Sequence, residues 1–515
     1  MTPRGRFDTV ARAVTRRVVV AVTRRVALAT VVTTLFVGVA SAHAGSLGST
    51  APVSVPSWLF ALTGGSVVVA SFLFTSLLTD RDLIRAIHER GPTVRARRLL
   101  PVGRYVLAAV GLVALFAIAV VGFVGPPTAI ANLAVLLVWV AWWAGYTATV
   151  YLLGNTWPAL NPWRTLARLL PSLDRSYPAR LAAWPSVAGL LALVWLEVVS
   201  PLADAPRLLA AVVAGYSLLT LSGAVVFGRR AWFSNVDPVS RVFAFYGAIA
   251  PVQRVPDGVS VGLPGAGLLA GERADRPPER PQSADRPIRV DGGVADARAV
   301  SPIRTATGRV FDAPLVDGRD DVAFVVALVW GTTFDGFVST RLWADLARPV
   351  VRSGVPSLAV YLGALVGGFV LFLGAYRLAS RLARRSAGTY VATGEIERRF
   401  AVALLPIAAG YHLAHFLGYF LTLSPALLGV LGSPLTPPTD LVVAVLPDWF
   451  GGVQLLFVVV GHLLGVWVAH AVAFETFTGR LQPLRSQYPY VVVMVAYTTT
   501  SMWLLLQPYT TPPFL

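Results

Sequence analysis

A chain of 515 residues with 55% hydrophobic and only 13% charged side chains is too apolar for a set of soluble domains and reads as an all-α, polytopic transmembrane helix bundle. The absence of cysteine excludes disulfides, thiolate metal sites, iron–sulfur clusters and cysteine nucleophiles. A formal net charge of +17 could point to nucleic acid, so the charges must be located before a partner is assigned to them.

Residues 1–42 open with an arginine-rich run (Arg4, Arg6, Arg12, Arg16, Arg17, Arg24, Arg25), followed by an apolar stretch from Val26 to Ala40 and the small-x-small sequence Ala40-Ser-Ala42. This is either a first transmembrane helix or a cleaved signal peptide. Cleavage after Ala42 would leave His43 at the terminus, where its amine and ring could hold copper.

The N-terminal membrane region, 43–227, carries five apolar stretches, at about 56–79, 104–124, 132–153, 184–202 and 207–227, each close to the roughly 20 residues a ~30 Å hydrocarbon core requires. Arg81, Arg85, Arg90, Arg95, Arg97 and Arg98 crowd the loop after the first of these, and Arg164, Arg168, Arg175 and Arg180 the loop after the third. That second loop begins with Asn155-Thr-Trp-Pro-Ala-Leu-Asn-Pro-Trp-Arg164. Asn161 before Pro162 predicts a capped helix start, and Asn155, Trp157, Asn161, Trp163 and Arg164 together have the composition of an interfacial anchor. Glu197 falls near the outer end of its span, where an exposed carboxylate needs no special role.

Residues 228–321 form a cytoplasmic loop. Its first part, Trp232–Pro251, is aromatic and predicts an interfacial helix, whereas Val252–Asp321 is rich in Pro, Gly, Arg and Asp and predicts one long disordered segment. The C-terminal membrane region, 322–515, holds five further spans at about 322–343, 356–376, 399–421, 452–474 and 488–507. The outer loop from Thr422 to Gly451 is Pro-rich and is either a cover or a plain connector.

Eleven spans, or ten if the first is removed, with a cytoplasmic N-terminus place nearly all arginines inside. Arg348 and Arg352 are the main exceptions, so the pattern obeys the positive-inside rule. Topology in the cell membrane thus accounts for the basicity: the partner is the lipid bilayer, and nucleic-acid binding has no separate support.

Four of the six histidines lie in two of the C-terminal spans, in Tyr411-His-Leu-Ala-His415 and in Gly461-His462 with Ala469-His470. Asp335 sits inside another apolar stretch, in Phe334-Asp-Gly336. Ionisable groups inside a membrane are costly and mark functional sites. His412 and His415 are three apart and share a helix face. Asp335, His412 and His462 fall roughly 12–15 Å below the outer ends of their spans at 1.5 Å per residue. These residues predict a metal site of Asp335, His412, His415 and His462, with His470 and His43 as further candidates and Asp335 as ligand or catalytic base. Zinc or copper suits such donors, and a metal-bound water would be a hydrolytic nucleophile. Haem b between two spans is the alternative cofactor, and a path for a metal ion or proton is an alternative use of the same residues.

The histidine motifs, Phe334-Asp-Gly336, the Asn155–Arg164 stretch and the region after His43 resemble those of fenitrothion hydrolase-like prokaryotic polytopic membrane proteins. The resemblance covers most of the chain. It implies hydrolysis of an organophosphorus triester, without implying the natural substrate. The arginine pattern predicts that a reporter fused after Leu515 lies outside the cell; a cytoplasmic signal would overturn the topology.

Overall fold

A computed structural model describes residues 57–88, 93–94, 99–255, 258–269, 314–507 and 512–514. His43 and most of the predicted disordered segment lie outside the described residues.

The apolar stretches become helices because they are continuous in hydrophobic residues and bounded by Gly, Pro and Asn. In chain order these are α1 (Ser57–Ser76), α2 (Arg81–His88), a short strand β1 (Thr93–Val94), α3 (Leu99–Val124) and α4 (Leu133–Leu152). Two short helices, α5 (Trp157–Leu160) and α6 (Pro162–Leu166), precede α7 (Trp184–Val199) and α8 (Pro206–Phe227). Next come α9 (Arg229–Asn235), α10 (Pro238–Gly247), strands β2 (Val252–Val255) and β3 (Gly258–Val261), and α11 (Ala266–Leu269). The C-terminal region adds α12 (Arg319–Val338), α13 (Arg341–Arg352), α14 (Ser357–Ala387), α15 (Thr393–Ala401), α16 (Leu405–Leu431), α17 (Phe450–Thr476) and α18 (Gln482–Leu505). Among the described residues, seven helices are long and apolar enough to cross a membrane. Every predicted span after the first has a helical counterpart, and the chain is a helical membrane protein.

Helix α12 is the central element, its residues from Asp320 to Gly331 all buried. Around it the bundle closes through small residues, as expected where lipid supplies no hydrophobic drive between helices. A Cβ on Gly410 of α16 would meet the Phe457 carbonyl at 2.6 Å, and one on Gly461 of α17 the Pro406 carbonyl at 2.6 Å. Gly465 faces the Ala403 carbonyl at 2.8 Å in the same way. The α16–α17 seam is therefore a direct backbone contact that no larger residue admits.

The structure departs from the sequence-based expectations in four places. First, Leu136–Tyr146 within α4 is an eleven-residue π-helix, a geometry found mostly at functional sites. Second, α16 continues ten residues past the predicted end at 421, to Leu431. His412 is thus about 28 Å from that helix end rather than about 14 Å. The rest of the segment before α17 folds back on α16, with the Ala444 N–H donating to the Thr422 carbonyl (2.9 Å) and Val443 buried. Third, the start of the predicted disordered segment is ordered. Strands β2 and β3 pair antiparallel, β1 adds to β3 in the sheet order β1-β3-β2, and Leu268 and Leu269 of α11 are buried in the main core.

Fourth, the aromatic stretch after α8 and the Asn155–Arg164 motif form a packed floor inside the protein rather than an interfacial anchor. Trp157, Asn161 and Trp163 are buried, as is nearly all of α10. Asn155 accepts from the Trp157 N–H (2.9 Å) and donates to the Phe243 carbonyl (2.8 Å). Asn161 caps α6 by accepting from the Arg164 N–H (2.9 Å) and donates to Ser240 (3.2 Å), while Trp163 donates to Ser217 (2.7 Å). The Arg164 guanidinium lies over the Phe233 ring. Ser240 and Tyr216 donate in turn to Asp237, whose burial raises its pKa above the ordinary carboxylate range while these donors oppose the shift.

The floor is locked to α12 by a buried ion pair between Arg241 and Asp321 (2.5 Å), with the guanidinium also donating to the Ser234 carbonyl. Asp321 accepts from the Asp317 and Gly318 N–H groups at the start of α12, which satisfies helix-end donors and favours negative charge there. Removing one member of such a pair leaves the other buried and unpaired, at a cost of roughly 3–5 kcal/mol. Asp321→Asn is therefore expected to lower the unfolding temperature of the purified protein clearly, and Leu268→Ala to do so through a core cavity costing roughly 2–5 kcal/mol. Deletion of residues 272–312 is expected to leave that temperature unchanged, and a large fall on that deletion would show that those residues carry the fold.

Candidate intramembrane acid–base site

A partly open cavity, of about 30 Å³, lies between α4, α7, α12 and α16. Its ionisable lining is Glu197, Asp335, His412 and His415, and Trp143, Thr332, Tyr411 and Phe416 are among its other walls. Two carboxylates and two imidazoles therefore share a space large enough for one or two water molecules or an ion.

Asp335 and His415 form its clearest contact, Oδ2 to Nε2 at 3.1 Å, both side chains a little under one third exposed. His412, one turn earlier, is fully buried. Its Nδ1 shares a hydrogen bond with the Tyr151 hydroxyl (3.1 Å), and its ring is held edge-on by Trp143, Tyr151 and Tyr246. Its Nε2 has no partner of hydrogen-bonding geometry, although the Trp143 backbone is within reach of the ring. A buried nitrogen with that valence free is costly unless something binds it.

The π-helix builds one wall of this cavity. It carries Trp142 and Trp143 side by side, Trp143 packing on both His412 and Phe416. Gly145 lies so close to Phe420 of α16 that a Cβ would come within 2.6 Å of its ring. The widened turns thus send Trp143 onto α16 and Trp142 onto Trp157 and Phe243 of the floor, while the backbone still approaches α16 closely.

Glu197, read from the sequence as an exposed carboxylate needing no special role, belongs to the cavity lining instead. Its helix, α7, has sixteen residues and is about 24 Å long, short of a ~30 Å core. Its last turn can therefore stay inside the bundle, where Glu197 lines the cavity and interacts electrostatically with Asp335. The apolar stretch, read as 184–202, gave no signal of this, because only the structure shows the helix ending at Val199.

His462 does not line the cavity. It is buried on α17 with Nδ1 donating to the Val458 carbonyl (2.8 Å) and its ring beside Tyr497 of α18. His470 is also elsewhere: Nε2 donates to the Leu78 carbonyl (2.9 Å) and Nδ1 accepts from Gln487 (3.3 Å). Both ring nitrogens are satisfied, so His470 ties α17 to the end of α1 and to α18. Among the described residues, no group of three His, Asp or Glu side chains is already arranged to hold a metal ion.

No family model, curated protein or solved structure matches the chain. The geometry predicts that His470→Ala lowers thermal stability by removing two inter-helix contacts, whereas Glu197→Gln leaves it nearly unchanged. The reverse order in a melting measurement would contradict the assignment of Glu197 to the cavity and His470 to the scaffold.

Proposed function

We propose that the chain is an eleven-span integral protein of the cell membrane, N-terminus cytoplasmic and C-terminus outside, whose cavity is a divalent metal site. Asp335, His412 and His415 remain the donors, Glu197 joins them, and His462, His470 and His43 leave the set. The observation that carries this reading is the buried Nε2 of His412, which no hydrogen bond of good geometry satisfies, in the same cavity as the Asp335–His415 pair. Two imidazoles with two carboxylates suit zinc. Copper depended chiefly on a terminal His43, which lies outside the described residues. Haem b fits less well, because His412 and His462, the axial pair it would take from α16 and α17, face different neighbours.

A bound zinc ion would polarise substrate and supply an acidic water, which is the chemistry of a metal-dependent hydrolase. The chain's own residues complete this reading. Tyr151 holds His412 in one ring orientation through Nδ1 and so directs Nε2 as a donor. Glu197 binds the ion from α7, and Asp335 either binds it as well or orients His415 and accepts a proton. Trp143 and Phe416 restrict water to the small polar volume. Hydrolysis of a phosphotriester is the reaction that the resemblance to fenitrothion hydrolase-like proteins suggests.

Metal analysis of the purified full chain tests the site. About one equivalent of zinc is expected, falling tenfold or more in His412→Ala, His415→Ala and Glu197→Gln, and unchanged in His462→Ala and His470→Ala. No bound metal in the unaltered protein would overturn the proposal, and loss on His462→Ala would restore the three-histidine site in its place. Retained metal in Asp335→Asn with lost phosphotriester hydrolysis would make Asp335 an orienting group rather than a ligand. Metal uptake into proteoliposomes without hydrolysis would assign the same residues to transport.

A further inference from the structure

Adjoining the cavity, and sharing Tyr411 with it, is a second group of polar side chains that the proposed metal site does not use as donors. Tyr246, Tyr411, His462 and Ser501 are each at most 1% exposed, and the hydroxyls of Tyr246, Tyr411 and Ser501 and the Nε2 of His462 have no hydrogen-bond partner. They come from α10, α16, α17 and α18, so no single helix explains them.

Tyr497 of α18 is their common neighbour. Its hydroxyl bonds Thr333 (2.7 Å) and the Val329 carbonyl (3.2 Å) of α12. Its ring lies 5.9 Å from that of His462. Tyr246 and Tyr411 are both within electrostatic range of Tyr497, and Ser501, one turn along α18, faces its hydroxyl without a well-formed bond. The group meets the first cavity at Thr332 and Tyr411, which line that cavity.

Unpaired buried polar atoms are rare in folded proteins, and each costs the full desolvation of the group. Four of them in the neighbourhood of Tyr497 would be a large penalty in a dry interior, whereas water molecules making two to four bonds apiece would remove it. Apolar residues of the same shape would have cost nothing here, so these polar groups need a polar ligand. No carboxylate is among them, which disfavours a cation.

We propose that Tyr246, Tyr411, His462, Ser501 and Tyr497 enclose a chamber of bound water, continuous through Thr332 and Tyr411 with the Glu197–Asp335 cavity. The chamber gives His462 a role that metal ligation does not, as the inner end of a hydrogen-bonded water chain. It stands independently of whether the cavity binds metal.

Synchrotron hydroxyl-radical footprinting of the full-length protein in nanodiscs is the test, because radiolysis generates radicals from bound water inside the protein. Tyr390, fully exposed, is the positive reference. Tyr376 and Tyr490, whose hydroxyls donate to the Glu397 carbonyl and to Ser380, are the buried references. Tyr411 and Tyr497 are expected to be modified at least tenfold faster than Tyr376 and Tyr490. Tyr411→Phe and Ser501→Ala are expected to lower the unfolding temperature by about 2 °C or more, since each removes a satisfied hydrogen bond. Modification of Tyr411 and Tyr497 no faster than the buried references would overturn the proposal. So would a higher melting temperature in either variant, the sign expected when a hydroxyl without any partner is removed.

Discussion

The direct backbone contact between α16 and α17 decides which histidines can act together. Gly410 meets Phe457 and Gly461 across this seam, and Gly465 meets Ala403. A helix turns about 100° per residue, so His412 lies roughly 200° around α16 from Gly410. Its ring must leave the seam and enter the space walled by α4 and α10. His462 follows Gly461 by about 100° and turns toward α18. A site shared by His412 and His462 would require the rings to meet across the seam, and the glycines close that route. The same contact that stabilises the pair of histidine helices therefore divides their histidines between two compartments.

On the His412 side, each wall is shaped by a local irregularity. The π-helix in α4 brings Trp143 onto His412, and α7 ends early enough to leave Glu197 within the bundle. The floor beneath is α10, whose Tyr246 reaches the His412 ring. Because α10 is fixed to α12 through Arg241 and Asp321, the floor and the Asp335 helix are one mechanical unit. The buried charge pair lies away from Asp335, yet it sets where Tyr246 stands relative to His412.

Much of this was legible in the sequence, for identifiable reasons. Arginine placement and hydropathy report on solvent and lipid, and they located the helices. The cost of ionisable groups in lipid singled out Asp335, His412 and His415, and the structure places all three on one cavity. What hydropathy cannot report is direction around a helix. His462 was grouped with His412 by depth alone, and only the Gly410–Gly461 contact separates them. The Asn155–Arg164 motif was read as an anchor because Trp, Pro and Arg serve equally at a membrane surface and in a buried corner. The distinguishing feature is the pairing of Asn155 and Asn161 with α10, a long-range contact. Strands β2 and β3 were missed since Pro- and Gly-rich sequence masks a short hairpin whose partner, β1, is far away in the chain.

The packing of α11 gives the floor a further consequence. Gly265, with a positive φ of 86°, sits against Leu464 and Val468 of α17, about one and two turns beyond Gly461. Non-helical backbone at that level of a membrane helix is tolerated only when protein or a polar cavity covers it. Here Gln253 donates to the Gly247 and Ala250 carbonyls, and the Gly265 N–H donates to the Ile249 carbonyl, so the turn satisfies much of its own backbone. Glycine is required at 265 for both reasons, the left-handed backbone and the close approach to α17. The segment from α9 to α11 is consequently a plug inserted among the helices. Tyr246, on α10 within this plug, closes the space around the His412 ring from that side.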